Sequence, residues 1–290
     1  MLDFRTPCMD DRELIESFVK ESGQSGCDIT FVNTYLWREH YDIQVAFDSD
    51  TYYKCYLTDG EISGYTLPIT RGSLKRAVDN VIADAHERGV RPLIGLLNDN
   101  AVSALNELYG DKVSIEPSRE SFDYIYDREA LATLSGKKYH AKRNHISRFL
   151  RNHPDNSFAE ISPDNYDDVM DIVRRWILAG EDTGEEKIIR DALEHFEELG
   201  LFGLLLYVDG RAVAMTIGSR INDDICDVNF EKAVDIDEAY AVINNAFAKR
   251  YADFKYINRE EDIGLEGLRK SKLSYHPQIL YSKSTALFDL

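Results

Sequence analysis

One pattern that occurs twice along the 290 residues constrains the fold more than any other feature. In "YYKCYLTDGEISGYTLPI" the pair Asp59-Gly60 separates two runs rich in aromatic and β-branched residues, and in "GLLLYVDGRAVAMTIGS" the pair Asp209-Gly210 occupies the same place. An Asp-Gly pair between such runs is a strong signal for a two-residue β-hairpin. The sequence therefore predicts one antiparallel hairpin in each half of the chain.

The residues that follow each hairpin also repeat one order of elements. Ser73 precedes apolar residues spaced as on one face of a helix, and Gly89 closes that helix. In the second half a further strand, "ICDVNFEKA", comes first, and apolar residues from Ala239 to Phe247 then keep the same helical spacing. A short strand, a helix and a last strand follow in both halves, and the last strands read "SFDYIYD" and "QILYSKSTALF".

This repeated order predicts a mixed α/β fold made of two tandem units of similar topology. We expect residues 1–128 to form the first unit and residues 129–290 to form the second. Further helices are expected before each sheet, at about residues 10–22 and 30–39 in the first half and at 137–152, 163–178 and 185–199 in the second. The alternative is one continuous sheet of unrelated topology.

The segment "SGKKYHAKRNHISRFLRNH" is strongly basic in an acidic chain. Asp and Glu number 52 against 34 Lys and Arg, which gives a formal net charge of −18. Such a charge repels nucleic acids and anionic membranes, so an anionic partner requires a local basic patch. A solvated helix face would explain the segment without a ligand, but we expect it to bind the phosphates of an anionic partner. The candidate phosphate-binding residues, two of them on a later helix, are Lys138, Lys142, Arg143, His145, Arg269 and Lys272.

Candidate catalytic residues lie on the strand "ICDVNFEKA". Strand alternation puts Asp227, Asn229 and Glu231 on one face, and a polar row inside a sheet indicates a cleft, although a half-exposed edge strand gives the same pattern. Burial could raise the pKa of Glu231 until this carboxylate accepts a proton from an attacking nucleophile. We predict Glu231 as the proton acceptor, with Asn229 and Tyr275 orienting or stabilising the carbonyl oxygen of a substrate.

The stretch "YINREEDIGLEGLRKSKLSYHP" adds a polar cluster at the carboxyl end of a predicted strand, where ligands bind in open α/β sheets. Salt bridges from Arg259 and Arg269 explain its carboxylates more simply than a metal does, because no His stands at ligand spacing and the four cysteines form no zinc-ligand pattern. We therefore expect no metal site. The residues expected to line the cleft are Asp227, Asn258, Arg259, Glu260, Asp262 and His276.

The stretches "SGKKYHAKRNHISRF", "VNFEKA" and "INREEDIGLEGLRKSKLSYHP" together resemble the family related to the C-terminal domain of phosphatidylglycerol lysyltransferase. The resemblance covers essentially the whole chain and implies two tandem acyl-CoA N-acyltransferase (GNAT-like) domains. It also implies bacterial relatives that move an aminoacyl group from aminoacyl-tRNA to a lipid or, in the more distant Fem peptidyltransferases, to a peptidoglycan precursor.

The leading functional interpretation is an acyl- or aminoacyltransferase whose donor substrate is aminoacyl-tRNA or acyl-CoA, with no other cofactor firmly implied. The acceptor would be a small molecule, a peptide or a lipid headgroup that offers an amine or a hydroxyl. The stretch "AVDIDEAYAVIN" disfavours CoA in the second half, because it lacks glycine and places Asp235, Asp237 and Glu238 where a phosphate would bind. The alternative is a non-catalytic module that binds RNA or an anionic metabolite through the basic helix.

The expected location follows from two further features of the sequence. The first residues, "MLDFRTPCMDDRELIE", lack the basic and apolar regions of a signal peptide. No apolar run reaches the ~18–20 residues that a membrane-spanning helix needs. The sequence therefore predicts a soluble, cytoplasmic protein without a transmembrane segment.

Overall fold

The computed structural model describes residues 1–180 and 184–289, which form two compact units. Unit 1 consists of Met1–Asp123, Glu261–Arg269 and the described part of Leu280–Leu290, and unit 2 consists of the described part of Tyr124–Glu260 together with Lys270–Ile279. Two mixed sheets run through the described residues, and helices pack against their faces. The mixed α/β fold class predicted from the sequence is confirmed.

The elements are numbered in chain order. The strands are β1 (Ile43–Phe47), β2 (Thr51–Thr58), β3 (Glu61–Thr66), β4 (Ile69–Thr70), β5 (Leu93–Leu97), β6 (Val113–Pro117), β7 (Asp123–Asp127), β8 (Asn156–Glu160), β9 (Phe202–Val208), β10 (Arg211–Arg220), β11 (Ile225–Ala233), β12 (Tyr256–Asn258), β13 (Ile279–Tyr281) and β14 (Ser284–Phe288). The helices are α1 (Arg12–Ser22), α2 (Phe31–Leu36), α3 (Leu74–Arg88), α4 (Asp99–Tyr109), α5 (Arg128–Thr133), α6 (His140–Asn152), α7 (Tyr166–Leu178), α8 (Glu185–Glu194), α9 (Ala239–Arg250) and α10 (Glu266–Leu273). Short 3-10 turns lie at Met9–Asp11, Cys27–Ile29, Gly110–Lys112, Arg119–Ser121, Lys137–Tyr139 and Pro163–Asn165.

Both Asp-Gly hairpins are present as predicted. β2 pairs with β3, and β9 pairs with β10, each antiparallel across its Asp-Gly turn. The φ angles are 53° and 82° at Asp59 and Gly60, and 51° and 77° at Asp209 and Gly210. Positive φ at both central residues is the requirement of the tight turn that matches the twist of paired strands, and Asp and Gly tolerate it best.

The two sheets repeat one plan around a parallel pair of strands. The first sheet has the order β1-β2-β3-β5-β14-β6, with β4 paired to β2, and the second has the order β13-β7-β12-β11-β10-β9-β8. Neighbours are mostly antiparallel, but β3 runs parallel to β5, and β11 runs parallel to β12. Parallel neighbours need a crossover connection, and α3 and α9 lie in these two connections.

Local signals at the ends of α3 agree with the sequence prediction. The Ser73 hydroxyl accepts a hydrogen bond from the backbone N–H of Arg76 at 3.3 Å, and Gly89 ends the helix with a φ of 72°. Between these caps, Val78 and Val81 are buried in the core beneath the first sheet. The burial of this apolar face fixes the helix on the sheet.

The final strands differ from the predicted division at residues 128 and 129. β7 comes from the first half of the chain but pairs with β12 of the second sheet, and β14 comes from the second half but lies between β5 and β6 of the first sheet. The compact units are therefore not two uninterrupted stretches. Periodicity identifies a strand but not its partner, because strand pairing depends on contacts distant in sequence.

No helix in residues 1–180 and 184–289 combines the length and the apolar character that crossing a bilayer requires.

Candidate active site

Strand β11 contains a bulge at Asn229. Ile217 of β10 lies opposite Phe230, and Gly218 lies opposite Val228, so Asn229 is the extra residue between these pairs. A bulge interrupts the regular alternation of side chains along a strand. The side chains before and after Asn229 therefore do not follow one continuous alternation between the two faces of the sheet.

This bulge brings Glu231 to the sheet face that α9 covers. Cys226 and Val228 already belong to the core on that face, and Glu231 is three residues further on, where strict alternation would place it on the other face. Instead, Nδ2 of Asn244 in α9 donates a hydrogen bond to Glu231 Oε2 at 3.4 Å. The prediction that Asp227, Asn229 and Glu231 share one face is wrong, because Asp227 alternates with Cys226 and Val228.

The three polar residues are nevertheless buried. Asp227 has no exposed surface, Asn229 is 6% exposed and the Glu231 side chain is 7% exposed. A solvated edge strand would leave such a row in water. The burial therefore argues against the edge-strand interpretation.

The centre of this site is an ion pair between Glu231 and Arg259. Arg259 follows the last residue of β12, and its Nη2 donates to Glu231 Oε1 at 2.7 Å. Only 13% of the Arg259 side chain is exposed, and its Nη1 has no hydrogen-bond partner among the described residues. Removal of either partner would leave the other as an unpaired buried charge, so each fixes the position of the other.

Tyr275 and Lys142 complete the cluster. The centroid of the Tyr275 ring lies 5.1 Å from the Arg259 guanidinium carbon and 3.7 Å from the Lys142 amine, so the ring contacts two cationic groups. Tyr126 of β7 contacts the Tyr275 ring edge-on at a centroid distance of 6.5 Å. Burial raises the pKa of Tyr275 to about 12, so its phenol stays protonated near neutral pH.

The environment of Lys142 is unusual for an amine. Burial, followed by the nearby positive charge of Arg259, lowers the pKa of Lys142 to about 8. A substantial fraction of this side chain is therefore neutral in mildly alkaline solution, unlike an ordinary surface lysine.

The position of the cluster follows from the strand pairing. β11 and β12 pair from Ile225 with Tyr256 to Asp227 with Asn258, where β12 ends, whereas β11 continues to Ala233. Arg259 and Glu231 meet where the two parallel strands part. Such a place, beyond the carboxyl end of a strand, is where open α/β sheets bind ligands.

Other predicted phosphate-binding residues have structural contacts. The Arg143 guanidinium donates to the backbone carbonyl of Leu134 and, at 2.7 Å, to that of Gly136. The Lys272 amine, which is 8% exposed, donates to the carbonyl of Arg259. Arg143 therefore holds the backbone that follows α5, and Lys272 holds the backbone that follows β12. The positive charges of both residues are directed at carbonyl groups.

We expect Arg143→Gln to lower the free energy of unfolding by about 1–3 kcal/mol, because two carbonyl groups lose their donor. Arg151→Gln, at the exposed end of the same helix, is the matched control and should change stability by less than about 0.5 kcal/mol. Urea unfolding of both variants measures the difference. Equal stability of the two variants would contradict a structural role for Arg143.

The remaining predicted residues divide between the two units. In unit 2, Lys138 and His145 are exposed on the basic helix, and His276 Nε2 lies 3.3 Å from the backbone oxygen of Lys138. Asn258 is fully buried and accepts a hydrogen bond from the backbone N–H of Glu260 at 2.8 Å. The residues that belong to unit 1 are Asp262 and Arg269.

Asp262 and Arg269 form an ion pair of their own. Arg269 donates two hydrogen bonds to the Asp262 carboxylate at 2.8 and 2.9 Å, and Arg119 donates a third at 3.0 Å. Asp262 has no exposed surface. The prediction that salt bridges engage these carboxylates therefore holds for this pair, and its contacts explain Arg269 without a phosphate ligand.

The acidic residues before α9 are partly neutralised. Asp235 pairs with Arg175 at 2.6 Å, and Glu238, the residue before the helix, pairs with Arg148. The negative charge at this helix start is therefore smaller than the sequence alone indicates. The argument against CoA that rests on charge repulsion is correspondingly weaker.

Comparison with known families adds a decisive observation to this geometry. The family described as "Phosphatidylglycerol lysyltransferase, C-terminal" matches residues 19–287. The chain belongs to this family. It is also similar to a conserved protein of unknown function from Bacteroides thetaiotaomicron VPI-5482, whose crystal structure is 37% identical, covers 100% of both chains and has a TM-score of 0.93.

Two further likenesses place this lysyltransferase-family chain among its relatives. The structure of L-PGS from Bacillus licheniformis is 14% identical with a TM-score of 0.69, over 96% of this chain and 92% of that one, and shows a common fold. An uncharacterized protein of Mycoplasmoides gallisepticum is 22% identical over 183 residues. That match covers 59% of this chain and 58% of the length of the relative.

Sequence reasoning missed several groups in this member of the lysyltransferase family. Asn244 and Tyr126 contact the Glu231–Arg259 site in unit 2, and Lys283 and Asp123 form a buried ion pair in unit 1 at 2.6 Å. Asn244 could have been found, since it is a polar residue on the apolar face of a helix. No pattern in the sequence joins Lys283 to Asp123.

Proposed function

We propose that the protein transfers an acyl or aminoacyl group from a phosphate-bearing donor to an acceptor that carries an amine or a hydroxyl. The observation that carries this proposal is the buried Glu231–Arg259 pair, with Tyr275 and Lys142, at the point where β11 and β12 part. Membership of the lysyltransferase family supports the same class of reaction.

The reaction would be a direct attack of the acceptor on the carbonyl carbon of the donor. Negative charge would develop on the carbonyl oxygen, and a preorganised cation or hydroxyl stabilises such charge in a dry site. Arg259 and the Tyr275 hydroxyl are the candidates for that role, and Glu231 holds Arg259 in place. No covalent intermediate with the protein is required.

The donor would be held through its phosphates by the exposed basic residues of the segment that contains α6. Lys137, Lys138, His140, His145 and Arg151 are exposed there. Arg143 is engaged with backbone carbonyls, so it contributes less to such a surface than the sequence predicts. The charges of Lys137, Lys138 and Arg151 therefore become the preferred phosphate contacts.

Binding of donors provides the test of this assignment. The affinity for aminoacyl-tRNA should fall steeply as salt increases, because phosphate contacts release counterions. Replacing Lys137, Lys138 and Arg151 together by Gln should weaken binding by about tenfold or more, whereas Lys249→Gln, an exposed lysine of α9, should change it less than about twofold. Equal affinity of the triple variant and the control would contradict a donor site on this surface.

Acetyl-CoA, measured in parallel, separates the two donor classes. Binding of acetyl-CoA without binding of tRNA would assign acyl-CoA as the donor and leave the transfer chemistry in place. Binding of neither donor would contradict the proposal.

A non-catalytic binding module is the other function considered, and burial weighs against it. Anion binding alone needs the exposed basic residues but not a buried ion pair beside an aromatic ring and a half-buried amine. Because Asp227, Asn229 and Glu231 are not exposed to bulk solvent, no observation favours the binding module over the transferase.

A further inference from the structure

The position of Lys142 does not fit that of a phosphate-binding lysine. Its amine lies 3.7 Å from the centroid of the Tyr275 ring, and the residue is half-buried. Within the described residues no carboxylate lies within ion-pair distance of this amine, although the chain carries 52 Asp and Glu residues. A lysine that only bound phosphate would be expected to extend into solvent, as its neighbour Lys138 does.

Burial and a second cation disfavour the positive charge of Lys142, whereas its contact with the Tyr275 ring favours that charge. From the end of β12, Arg259 brings a second cation to the same aromatic ring. From β11, the Glu231 carboxylate is engaged by Arg259 at 2.7 Å. From the start of α9, Glu238 is paired with Arg148. The carboxylates of Glu231 and Glu238 are therefore paired with arginines, and the Lys142 amine faces an aromatic ring.

Other basic groups of the segment that contains α6 are directed elsewhere. Arg143 binds the carbonyls of Leu134 and Gly136, His145 is exposed, and the Lys138 amine lies 5.0 Å from the Tyr139 ring. With burial, this arrangement accounts for a Lys142 pKa of about 8.

We propose that Lys142, in its neutral form, accepts the proton that the acceptor releases when it attacks the donor carbonyl. This role rests on the proposed transferase function. The acceptor nitrogen or oxygen forms a bond to the carbonyl carbon, and the bond from that carbon to the ester oxygen of tRNA or the sulfur of CoA breaks. The proton passes from the nucleophile to the Lys142 amine and then to the departing oxygen or sulfur, so the enzyme returns to its starting state.

Glu231 is less suited to this step. One of its carboxylate oxygens accepts from Arg259 at 2.7 Å, and the other accepts from Asn244 at 3.4 Å. Both carboxylate oxygens therefore already accept hydrogen bonds from neighbouring side chains. Glu231 then acts as a positioning residue that holds Arg259 beside Tyr275, and Lys142 becomes the group that exchanges the proton.

The first measurement needs no substrate. Brief labelling of the intact protein with acetic anhydride at pH values from 6 to 11, followed by mass spectrometry of the peptides, gives the midpoint at which each lysine becomes nucleophilic. Lys142 should show a midpoint near 8, well below the ordinary lysine value of about 10.4. A Lys142 midpoint at that ordinary value would overturn the inference and leave the proposed function untouched.

The second measurement follows kcat/KM for transfer against pH. The wild-type rate should rise with pH to a plateau above about 8, and Lys142→Met should lower it by about 10² or more and remove this rise. Lys142→Arg should fail equally, because a guanidinium keeps the charge but does not release its proton, and Lys249→Met, at an exposed position of α9, is the control. Full activity of Lys142→Arg would overturn the inference in favour of a charge that only holds phosphate.

These outcomes are distinguishable from failure of the proposed function. If the wild-type protein transfers nothing from aminoacyl-tRNA or acetyl-CoA, the function is wrong and the role of Lys142 falls with it. If the wild type is active but its rate has no pH dependence between 6 and 9, only the inference about Lys142 is overturned.

Discussion

Lys283→Met should lower the free energy of unfolding by about 3–5 kcal/mol, the largest stability effect that the structure predicts for a single substitution. The Lys283 side chain is 1% exposed, and its amine lies 2.6 Å from the carboxylate of Asp123, which is fully buried. The same amine pairs with Asp28 in unit 1. Without it, the buried carboxylate of Asp123 and the partly buried carboxylate of Asp28 would lose their shared counter-ion.

The cluster around Lys283 already contains its own cation. Cys27, Asp123 and Glu261 bring potential ligand atoms within 4.8 Å of one another. The Cys27 thiol is 3.3 Å from Asp123 Oδ1, and the Lys283 amine is 3.7 Å from the thiol sulfur. An ammonium group in this position supplies the positive charge that the carboxylates need.

The pH dependence of this contribution follows from two shifted groups. Burial opposes the charge of Lys283, but the carboxylates of Asp123 and Asp28 hold its pKa well above the ordinary value. The contribution of Lys283 to stability is therefore present below about pH 10 and is lost as pH rises through the folded pKa. Burial likewise opposes the charge of Asp28, but Lys283 lowers its pKa, so that contribution is present above about pH 4 and is lost as pH falls through the folded pKa. Burial raises the pKa of Glu261, so protonation of this carboxylate in acid favours the folded state.

Urea unfolding from pH 3 to pH 9 measures this effect. The difference between the wild type and Lys283→Met should be largest between about pH 5 and pH 9 and should shrink in acid as Asp28 is protonated. Lys112→Met removes an exposed lysine of unit 1 and should cost less than about 0.5 kcal/mol. A loss below about 1 kcal/mol for Lys283→Met would show that the interior tolerates the unpaired carboxylates.

Glu231→Gln should reduce turnover of the proposed transfer by about 10² or more while the protein remains folded. Gln keeps the size of the side chain and its contact with Asn244 but removes the charge that holds Arg259. Arg259 would then lie buried next to Lys142 and Tyr275 without a counter-ion, and it would leave its position. Glu194→Gln, an exposed position in unit 2, is the matched control and should keep full activity.

The pH profile of this variant separates the two possible roles of Glu231. If Glu231 positions Arg259, the residual activity should still rise towards alkaline pH, because Lys142 continues to exchange the proton. If Glu231 itself accepts the proton, as predicted from the sequence, the residual activity should lose its dependence on a basic group. Unchanged turnover in Glu231→Gln would remove Glu231 from the mechanism in either role.

Features that depend on neighbouring residues could be predicted from the sequence. The Asp59-Gly60 and Asp209-Gly210 turns need positive φ angles that only a few residue types adopt readily, so the sequence alone identifies them. The caps at Ser73 and Gly89 are also local, and the amphipathic spacing between them identifies α3. The repeat of these signals then predicted two α/β units.

Features that depend on distant residues could not be predicted in the same way. The exchange of β7 and β14 between the sheets is decided by pairing across the whole chain, and the bulge at Asn229 is a property of the β10–β11 register. The bulge moved Glu231 to the face of α9, away from the side of Asp227. Likewise, the basic charge of α6 was evident in the sequence, but the engagement of Arg143 with carbonyls and the burial of Lys142 were not.

The most direct test of the account is a transfer assay with both donor classes. Radiolabelled aminoacyl-tRNA and radiolabelled acetyl-CoA would each be incubated with phosphatidylglycerol vesicles, a lysine-containing peptide and a mixture of small amines, and labelled products would be separated by chromatography. The account predicts a covalent product from at least one donor with the wild type and with Glu194→Gln, and about 10²-fold less with Glu231→Gln. No product from either donor, or equal product from Glu231→Gln, would contradict the assignment of the Glu231–Arg259 site as a transfer site.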